Sequence, residues 1–215
     1  MVQTALPLAE PAPDLPEGVI FRPCALAAEG QTQILGDLRR VIATAPLARL
    51  RTKGGGQTSA AMTNCGAAGW WSDPKGYRYV TANPTTGAPW PAFPHSFLAA
   101  VRKIAKDSPW PDFTPDACLI NFYEPGAKMG LHQDKDEKDF AHPIITVCLG
   151  DDADFLIGGF ARNDKTQALI VRSGDALIMG GASRMRFHGV RKIYPGTGPF
   201  SEIGGRFSLT FRKAL

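Results

Sequence analysis

The chain has 215 residues, is 44% hydrophobic and 20% charged, and carries a formal net charge of +4 with a pI near 8.9. This length suits one well-packed domain and is short for two. No run approaches the roughly 20 apolar residues of a membrane helix, and the N-terminus lacks a signal-peptide pattern. The mild positive charge permits nucleic-acid binding without establishing it. We therefore expect a cytoplasmic monomer with no membrane partner.

The first half of the chain is predicted to contain two helices separated by a loop-rich segment. Residues 1–17 are rich in Pro and Ala and are predicted to form a flexible tail, which leaves 18–215 as a single domain. Apolar residues at helical spacing predict an amphipathic helix over 27–44 and a second helix around 97–104. Residues 50–93 are dense in Gly, Pro, Trp and Tyr, and we expect hairpins and long loops that cover a site.

From residue 118 onward, short alternating runs separated by polar turns predict a succession of strands. The predicted strands are 118–123, 144–149, 154–158, 168–172, 176–179, 185–189 and 206–212. Regular short strands of this kind are typical of a sandwich or a jelly roll. The fold class is therefore predicted to be mainly β (α+β).

The triplet His132-Gln133-Asp134, together with the distant His188, is the most informative motif. A His and an Asp two residues apart on a strand point to the same face, and a His from another strand can complete a three-ligand cap. Two imidazoles and one carboxylate form the facial arrangement of non-haem Fe(II) oxygenases. Such a triplet alone is more often a set of surface or structural polar groups. His95 and His142 lack a carboxylate partner at this spacing and are left out of the predicted metal site.

A second signal comes from the run RFSLTFR at 206–212. Alternation places Arg206, Ser208 and Arg212 on one face of a strand and apolar residues on the other. The arginines either lie on a solvated edge, as most arginines do, or point into a barrel. In the second case they need an anion, and a dicarboxylate such as 2-oxoglutarate would use both.

The segment NFYEPGAKMGLHQDKDE at 121–137 resembles the signature of the AlkB family of Fe(II)- and 2-oxoglutarate-dependent nucleic-acid dealkylases. The likeness continues through 62–66, 115–121, 180–184 and 206–212, and covers roughly residues 45–212. It implies a double-stranded β-helix (jelly-roll) core with N-terminal helices and a nucleotide-recognition lid at about 45–95. It also implies Fe(II), 2-oxoglutarate and O₂ as cofactors, with His132, Asp134 and His188 as the iron ligands.

The resemblance also assigns the residues around the co-substrate and the substrate. The residues implied for 2-oxoglutarate are Asn121, Tyr123, Arg206, Ser208 and Arg212. Ser208 departs from the family's pattern, which has Asn there, and Ser keeps a donor with a shorter reach. The residues implied for the substrate are Trp70, Tyr77, Tyr79, Asp136 and Arg162.

Two interpretations of the aromatic residues Trp70, Tyr77 and Tyr79 are open. They pack a lid onto the barrel, or they stack on an extruded base and reach its backbone. In the family, Trp70 and His132 would flank the damaged base and Asp136 would face it. Bases methylated at ring nitrogens, such as 1-methyladenine and 3-methylcytosine, are cationic, so a carboxylate favours them over normal bases.

The resemblance therefore implies oxidative dealkylation of bases in DNA, with RNA left open. Formaldehyde is released, and 2-oxoglutarate becomes succinate and CO₂. One alternative is a 2-oxoglutarate-dependent hydroxylase of a protein or a small molecule, which would share the iron and arginine sites but would not need the aromatic residues or Asp136. The other is a non-catalytic jelly-roll protein or a zinc protein that binds nucleic acid, which would not need the pair of Arg206 and Arg212.

Overall fold

The computed structural model describes residues 13–215, which form a mainly β structure with two helices. The helices are α1 (Ala28–Thr44) and α2 (His95–Lys106). The strands are β1 (Val19–Arg22), β2 (Ala61–Gly66), β3 (Gly69–Asp73), β4 (Gly76–Val80), β5 (Ala117–Tyr123), β6 (Met129–His132), β7 (Ile144–Gly150), β8 (Asp152–Ile157), β9 (Gln167–Val171), β10 (Ala176–Met179), β11 (His188–Tyr194) and β12 (Arg206–Arg212).

The strands form a large sheet, a small sheet and a separate hairpin. The large sheet has the order β1-β10-β7-β12-β5-β2, the small sheet has the order β6-β11-β8-β9, and β3 pairs only with β4. All the strand pairs are antiparallel. This two-sheet arrangement confirms the predicted jelly-roll class.

The two helices cover the outer face of the large sheet. The buried stripe of α1, from Ile34 to Val41, and the buried face of α2, around Phe97 and Val101, share one apolar cluster with the outward residues of β12. The apolar side chains of β12 therefore face the helices, and its polar side chains face the inside of the jelly roll. The helix predicted over 27–44 is confirmed to within one residue.

The prediction for the strand at 185–189 was wrong in its bounds. β11 begins at His188 and runs to Tyr194. Its register with β8 shifts between Val190 and Lys192, which leaves Arg191 as a bulge. A bulge breaks the two-residue alternation, so the Arg191-Lys192 pair hid the strand from a periodicity argument. β1 and β6, each of four residues, were also not predicted.

The loop-rich segment contains more regular structure than its composition indicates. The expected hairpin is formed by β3 and β4, but β2 within the same segment is an edge strand of the large sheet. Residues 1–12 of the predicted tail lie outside the described residues. Close to that boundary, the Asp14 carbonyl accepts a hydrogen bond from Gln167 (2.9 Å). Neither described helix is long and apolar enough to cross a membrane.

Candidate active site

A cavity of about 380 Å³ opens inside the jelly roll. It is lined by inward side chains of both sheets and by the β3–β4 hairpin. The predicted residues in its lining are Trp70, Tyr77, Asn121, Tyr123, His132, Asp134, Asp136, Arg162, His188, Arg206, Ser208 and Arg212. The predicted metal, co-substrate and substrate residues therefore meet in one place, with Tyr79 as the exception.

The three predicted metal ligands converge because of strand pairing. His132 and His188 are direct cross-strand partners of β6 and β11, and Asp134 follows β6 by two residues. One ligand atom from each residue can be chosen so that all three lie within 4.8 Å of one another. The Asp134 carboxylate lies 3.7 Å from His132 Nε2 and 3.6 Å from His188 Nε2.

The orientation of both imidazoles suits a metal. Nδ1 of His132 lies 3.0 Å from the Gly130 carbonyl, and Nδ1 of His188 lies 3.1 Å from the Arg186 carbonyl. A carbonyl only accepts, so each Nδ1 carries the proton and each Nε2 offers a lone pair toward Asp134. Partial burial and the neighbouring His188 also lower the pKa of His132 to about 4, which keeps this ring neutral near pH 7.

Asp134 is held as a carboxylate. Burial by itself raises the pKa of this carboxyl, but the pKa is held well below its usual range, chiefly by the Arg212 guanidinium. Arg212 Nη2 donates to Asp134 Oδ2 at 2.7 Å, and Arg184 Nη1 donates to the Asp134 carbonyl at 2.7 Å. Two imidazoles with Nε2 directed to the site and one carboxylate fit Fe(II) as a facial ligand set.

Four of the five residues predicted for the co-substrate form two cross-strand pairs, and the fifth, Arg212, lies opposite Ala117. Arg206 lies opposite Tyr123, and Ser208 lies opposite Asn121, in the pairing of β12 with β5. All four side chains therefore share the inner face of the sheet. Burial raises the pKa of Tyr123 above its usual value, so its phenol stays protonated as a donor. β12 is central in the sheet, which excludes the solvated-edge interpretation of its arginines.

Unsatisfied polar atoms identify where an anion fits. Within residues 13–215, the buried side-chain atoms without a hydrogen-bond partner are Asn121 Oδ1, Arg206 Nε, and Arg212 Nε and Nη1. Arg212 Nε has Glu137 Oε1 at 3.2 Å as an ion-pair partner but makes no hydrogen bond to it. Buried groups of this kind are rare and call for a ligand or another explanation. Arg206 donates only to two carbonyls, of Asp151 (2.8 Å) and Val171 (3.0 Å), and so keeps its charge uncompensated by a carboxylate. The unpartnered guanidinium nitrogens of Arg206 and Arg212 are donors that fit a dicarboxylate, whereas Asn121 Oδ1 is an acceptor and does not bind an anion.

Trp70 and Asp136 form a hydrogen-bonded pair at the mouth of the cavity. Trp70 Nε1 donates to Asp136 Oδ2 at 2.7 Å, and the Tyr77 ring stacks on Trp70 with centroids 5.5 Å apart. The amide of Asn64 in β2 holds the Trp70 backbone through hydrogen bonds of 3.0 and 3.1 Å. Trp70 is thus fixed in position beside a carboxylate.

Comparison with known proteins identifies the family. The model of the 2OG-Fe(II) oxygenase superfamily matches residues 18–212. The chain is 45% identical over 182 residues to the alpha-ketoglutarate-dependent dioxygenase AlkB of Escherichia coli, which covers 85% of this chain and 84% of that protein. The chain belongs to the AlkB family. As an AlkB-family enzyme it is an Fe(II)- and 2-oxoglutarate-dependent dioxygenase that uses O₂.

Further relatives support the same grouping. A solved structure, "The structure of OsALKBH1", matches with a TM-score of 0.80 and 33% identity, covering 93% of this chain and 98% of that one. A DNA N(6)-methyladenine demethylase of Arabidopsis thaliana is 36% identical over 166 residues, 66% of this chain and 36% of its own length. A tRNA demethylase of Schizosaccharomyces pombe is 39% identical over 127 residues, 58% of this chain and 39% of its own length.

Two predicted substrate residues of this AlkB-family chain have further contacts. Tyr79 is not in the cavity lining, because its hydroxyl donates to Glu137 Oε1 at 2.5 Å on the inner side of the hairpin. Arg162 lines the cavity, but its guanidinium packs over the Phe187 ring at 5.1 Å and donates to the Leu131 carbonyl. The prediction that these two residues contact the substrate stays a prediction.

The sequence analysis missed Glu137 and Arg184. Glu137 belongs to a charged run that looks like a solvated loop, yet only 2% of its side chain is exposed. Its Oε2 lies 3.0 Å from Arg184 Nη2, and Arg184 is 3% exposed. No spacing rule signals these residues; the AlkB-family resemblance includes both positions but assigned them no role.

Ser208 gives a gentle test of the co-substrate pocket in this AlkB-family chain. Ser208→Asn is expected to retain at least about half of the wild-type turnover, because the position faces a cavity and the amide keeps a donor. The measurement is the Michaelis constant for 2-oxoglutarate of both proteins. A loss of activity would mean that the pocket of this chain is shaped around the smaller hydroxyl.

Proposed function

We propose that the enzyme removes alkyl groups from N-alkylated bases such as 1-methyladenine and 3-methylcytosine in DNA, with RNA as a further substrate class. The supporting observation is that the metal triad, the two arginines and the Trp70–Asp136 pair line one cavity. Relatives named as DNA and tRNA demethylases agree with a nucleic-acid substrate. We further propose that residues 18–215 act as a monomeric cytoplasmic domain, with a lid at about 45–95.

The cofactors provide the oxidation when bound: 2-oxoglutarate and O₂ at the iron yield succinate, CO₂ and a hydroxylated N-methyl group. His132, Asp134 and His188 would hold the iron and leave one side of it open to the cavity. Arg206 and Arg212 would hold the carboxylates of the co-substrate, with Asn121 and Tyr123 as additional polar contacts. The bond between the base nitrogen and the hydroxymethyl carbon then breaks with its electron pair left on nitrogen, the hydroxyl proton is released to water, and the carbon departs as formaldehyde.

The remaining residues would position the base. An N-methyl group inside a duplex lies within the base stack, so the nucleotide must be extruded or single-stranded. Trp70, held by Asn64 and Asp136, offers a fixed stacking surface at the mouth. The Asp136 carboxylate attracts a cationic base more strongly than a neutral one, especially away from water.

Asp136→Asn is expected to change lesion selectivity. Asn keeps an acceptor for the Trp70 indole N–H and removes only the charge. We expect turnover of 1-methyladenine and 3-methylcytosine to fall about 10- to 100-fold, and turnover of neutral 1-methylguanine to fall much less. The measurement is the ratio of these rates in single-stranded oligonucleotides of one sequence. An equal loss on cationic and neutral lesions would reject charge recognition by Asp136.

Trp70→Ala provides the comparison for this selectivity. Stacking is worth about 1–3 kcal/mol per base with little dependence on base identity. The substitution should therefore lower turnover of cationic and neutral lesions by similar factors. Because Asp136 also loses its indole donor, Trp70→Phe is the matched variant that keeps an aromatic ring without the N–H group. A charge-dependent loss in Trp70→Phe would show that the hydrogen bond, and not the ring, sets Asp136 in place.

The substrate class is tested with a panel of methylated oligonucleotides, as DNA and RNA and as single and double strands. Mass spectrometry should detect loss of the methyl group from at least one member in the presence of Fe(II) and 2-oxoglutarate. A panel that stays unchanged, while a methylated or proline-rich peptide is hydroxylated, would favour the alternative of a protein hydroxylase.

A further inference from the structure

We propose that Glu137 is a positioning residue that ties the β3–β4 hairpin to Arg212 and, through Arg212, to the metal ligand Asp134. The expected effect on oligonucleotide binding rests on the proposed function, whereas the expected effect on 2-oxoglutarate binding does not. Glu137 does not line the cavity, so it would act through the residues that it holds.

The Glu137 carboxylate contacts three separate parts of the molecule. Its Oε1 accepts the Tyr79 hydroxyl of β4 at 2.5 Å and lies 3.2 Å from Arg212 Nε of β12. Its Oε2 accepts from Arg184 Nη2 at 3.0 Å, just after the 3₁₀ turn Gly181–Ser183. A carboxylate has room for about four such partners, so most of its capacity is used inside the protein.

Arg212 is the link from Glu137 to the cofactors. Its Nη2 donates to Asp134 Oδ2 at 2.7 Å, and its Nη1 is buried without a partner beside the cavity. Through these contacts the guanidinium lies between the carboxylates of Asp134 and Glu137, and its Nη1 has no hydrogen-bond partner within residues 13–215. Removing the Glu137 charge would free one edge of this guanidinium.

The hairpin is fastened to the same loop at two neighbouring points. Trp70 and Tyr79 are cross-strand partners in β3 and β4. They donate to Asp136 and Glu137, which are neighbours in sequence. Burial raises the pKa of Tyr79 far above its usual value, so the phenol remains a donor. Asp136 therefore holds the stacking surface of Trp70, and its neighbour Glu137 holds Tyr79 of the same hairpin and also contacts Arg212.

A purely structural ion pair is the competing explanation, because buried pairs are common and often contribute little net stability. Two of the three Glu137 partners, however, belong to the candidate site or its lid. A structural pair would change stability alone. If Glu137 is a positioning residue, its loss weakens 2-oxoglutarate binding through Arg212 and oligonucleotide binding through Tyr79.

The experiment compares Glu137→Gln, Tyr79→Phe and the double variant. Asp139→Asn is the matched control, since Asp139 is an acid of the same run with 54% of its side chain exposed. Calorimetry of the Mn(II)-loaded proteins measures 2-oxoglutarate affinity without turnover. Fluorescence anisotropy measures the affinity for a single-stranded 1-methyladenine oligonucleotide, and thermal unfolding reports stability.

We expect Glu137→Gln to weaken 2-oxoglutarate binding by about tenfold, as for the loss of one charge-assisted contact. Tyr79→Phe should leave that affinity unchanged and weaken oligonucleotide binding by about threefold to tenfold. In the Glu137→Gln background, Tyr79→Phe should weaken oligonucleotide binding by a clearly smaller factor, because the hydroxyl acts through Glu137. Asp139→Asn should match the wild type.

Two results would overturn the inference. One is a lower unfolding temperature of Glu137→Gln with 2-oxoglutarate and oligonucleotide affinities unchanged, which would make Glu137 structural only. The other is an undiminished effect of Tyr79→Phe in the Glu137→Gln background, which would mean that Tyr79 touches the nucleic acid directly. If even the wild type bound no oligonucleotide, the proposed function would fail, and calorimetry would still decide whether Glu137 positions Arg212. Should Glu137→Gln not fold, Glu137→Asp, which keeps the charge with a shorter reach, is read by the same criteria.

Discussion

His132→Ala, Asp134→Ala and His188→Ala are each expected to reduce turnover by well over about 100-fold. Loss of outer partners of a metal ligand already costs about 10–100-fold in metal affinity or activity, and these residues form the triad itself. The measurement is formaldehyde release, together with the iron content of each purified protein. Both quantities should fall in parallel.

The three variants differ in how specifically they test the assignment of the metal ligands. Asp134 accepts a 2.7 Å bond from Arg212, so Asp134→Ala also disturbs a buried ion pair. The His132 ring lies near the Gly130 carbonyl, Asp134 and the His188 ring, and it has no arginine partner within residues 13–215, which makes His132→Ala the cleaner probe. Its circular dichroism and unfolding temperature should stay close to those of the wild type. Near-normal formaldehyde release by Asp134→Ala would show that the metal assignment is wrong.

Arg206→Ala is expected to weaken 2-oxoglutarate binding by at least about 100-fold. Leaving a buried charge without its partner costs roughly 3–5 kcal/mol, and each 1.4 kcal/mol is about a tenfold change. Arg206 is 2% exposed and, among residues 13–215, hydrogen-bonds only to backbone carbonyls, so a bound carboxylate would be its counter-charge. The measurement is the Michaelis constant for 2-oxoglutarate, with oligonucleotide affinity as the control that should change little.

Arg212→Ala should also weaken 2-oxoglutarate binding, and its effects should extend to iron binding. Arg212 also pairs with Asp134 and lies 3.2 Å from Glu137, so its loss should reduce iron affinity as well. The contrast between the two variants separates a co-substrate contact from a residue that serves both cofactors. An unchanged Michaelis constant for 2-oxoglutarate in Arg206→Ala would contradict the assignment of the carboxylate site.

Local sequence patterns were sufficient to predict the site residues where these residues lie on one face of a regular strand. The alternation in 206–212 predicted which side chains of β12 share the inner face, and the pairing with β5 brings Asn121 and Tyr123 beside them. The spacing of His132 and Asp134 also predicted a shared direction, although Asp134 lies just beyond the end of β6. Period-two arguments work here because the strands are regular.

Contacts between distant segments could not be predicted in the same way. The hydrogen bonds of Trp70 to Asp136 and of Tyr79 to Glu137 join residues 66 and 58 positions apart. They depend on where the hairpin meets the loop after β6, which no local pattern encodes. The bulge at Arg191 likewise hid most of β11, because it interrupts the alternation by which a strand is recognised.

The most direct test of the central claim is the product balance on one substrate. Enzyme, Fe(II), 2-oxoglutarate and O₂ are incubated with a single-stranded oligonucleotide that contains one 1-methyladenine, and adenine, formaldehyde and succinate are quantified together. We predict restored adenine and formaldehyde in equal amounts, with at least as much succinate, and none of the three above background in the His132→Ala protein. Succinate formed at the same rate with and without the oligonucleotide, with no formaldehyde and no restored adenine, would contradict a base-dealkylating active site.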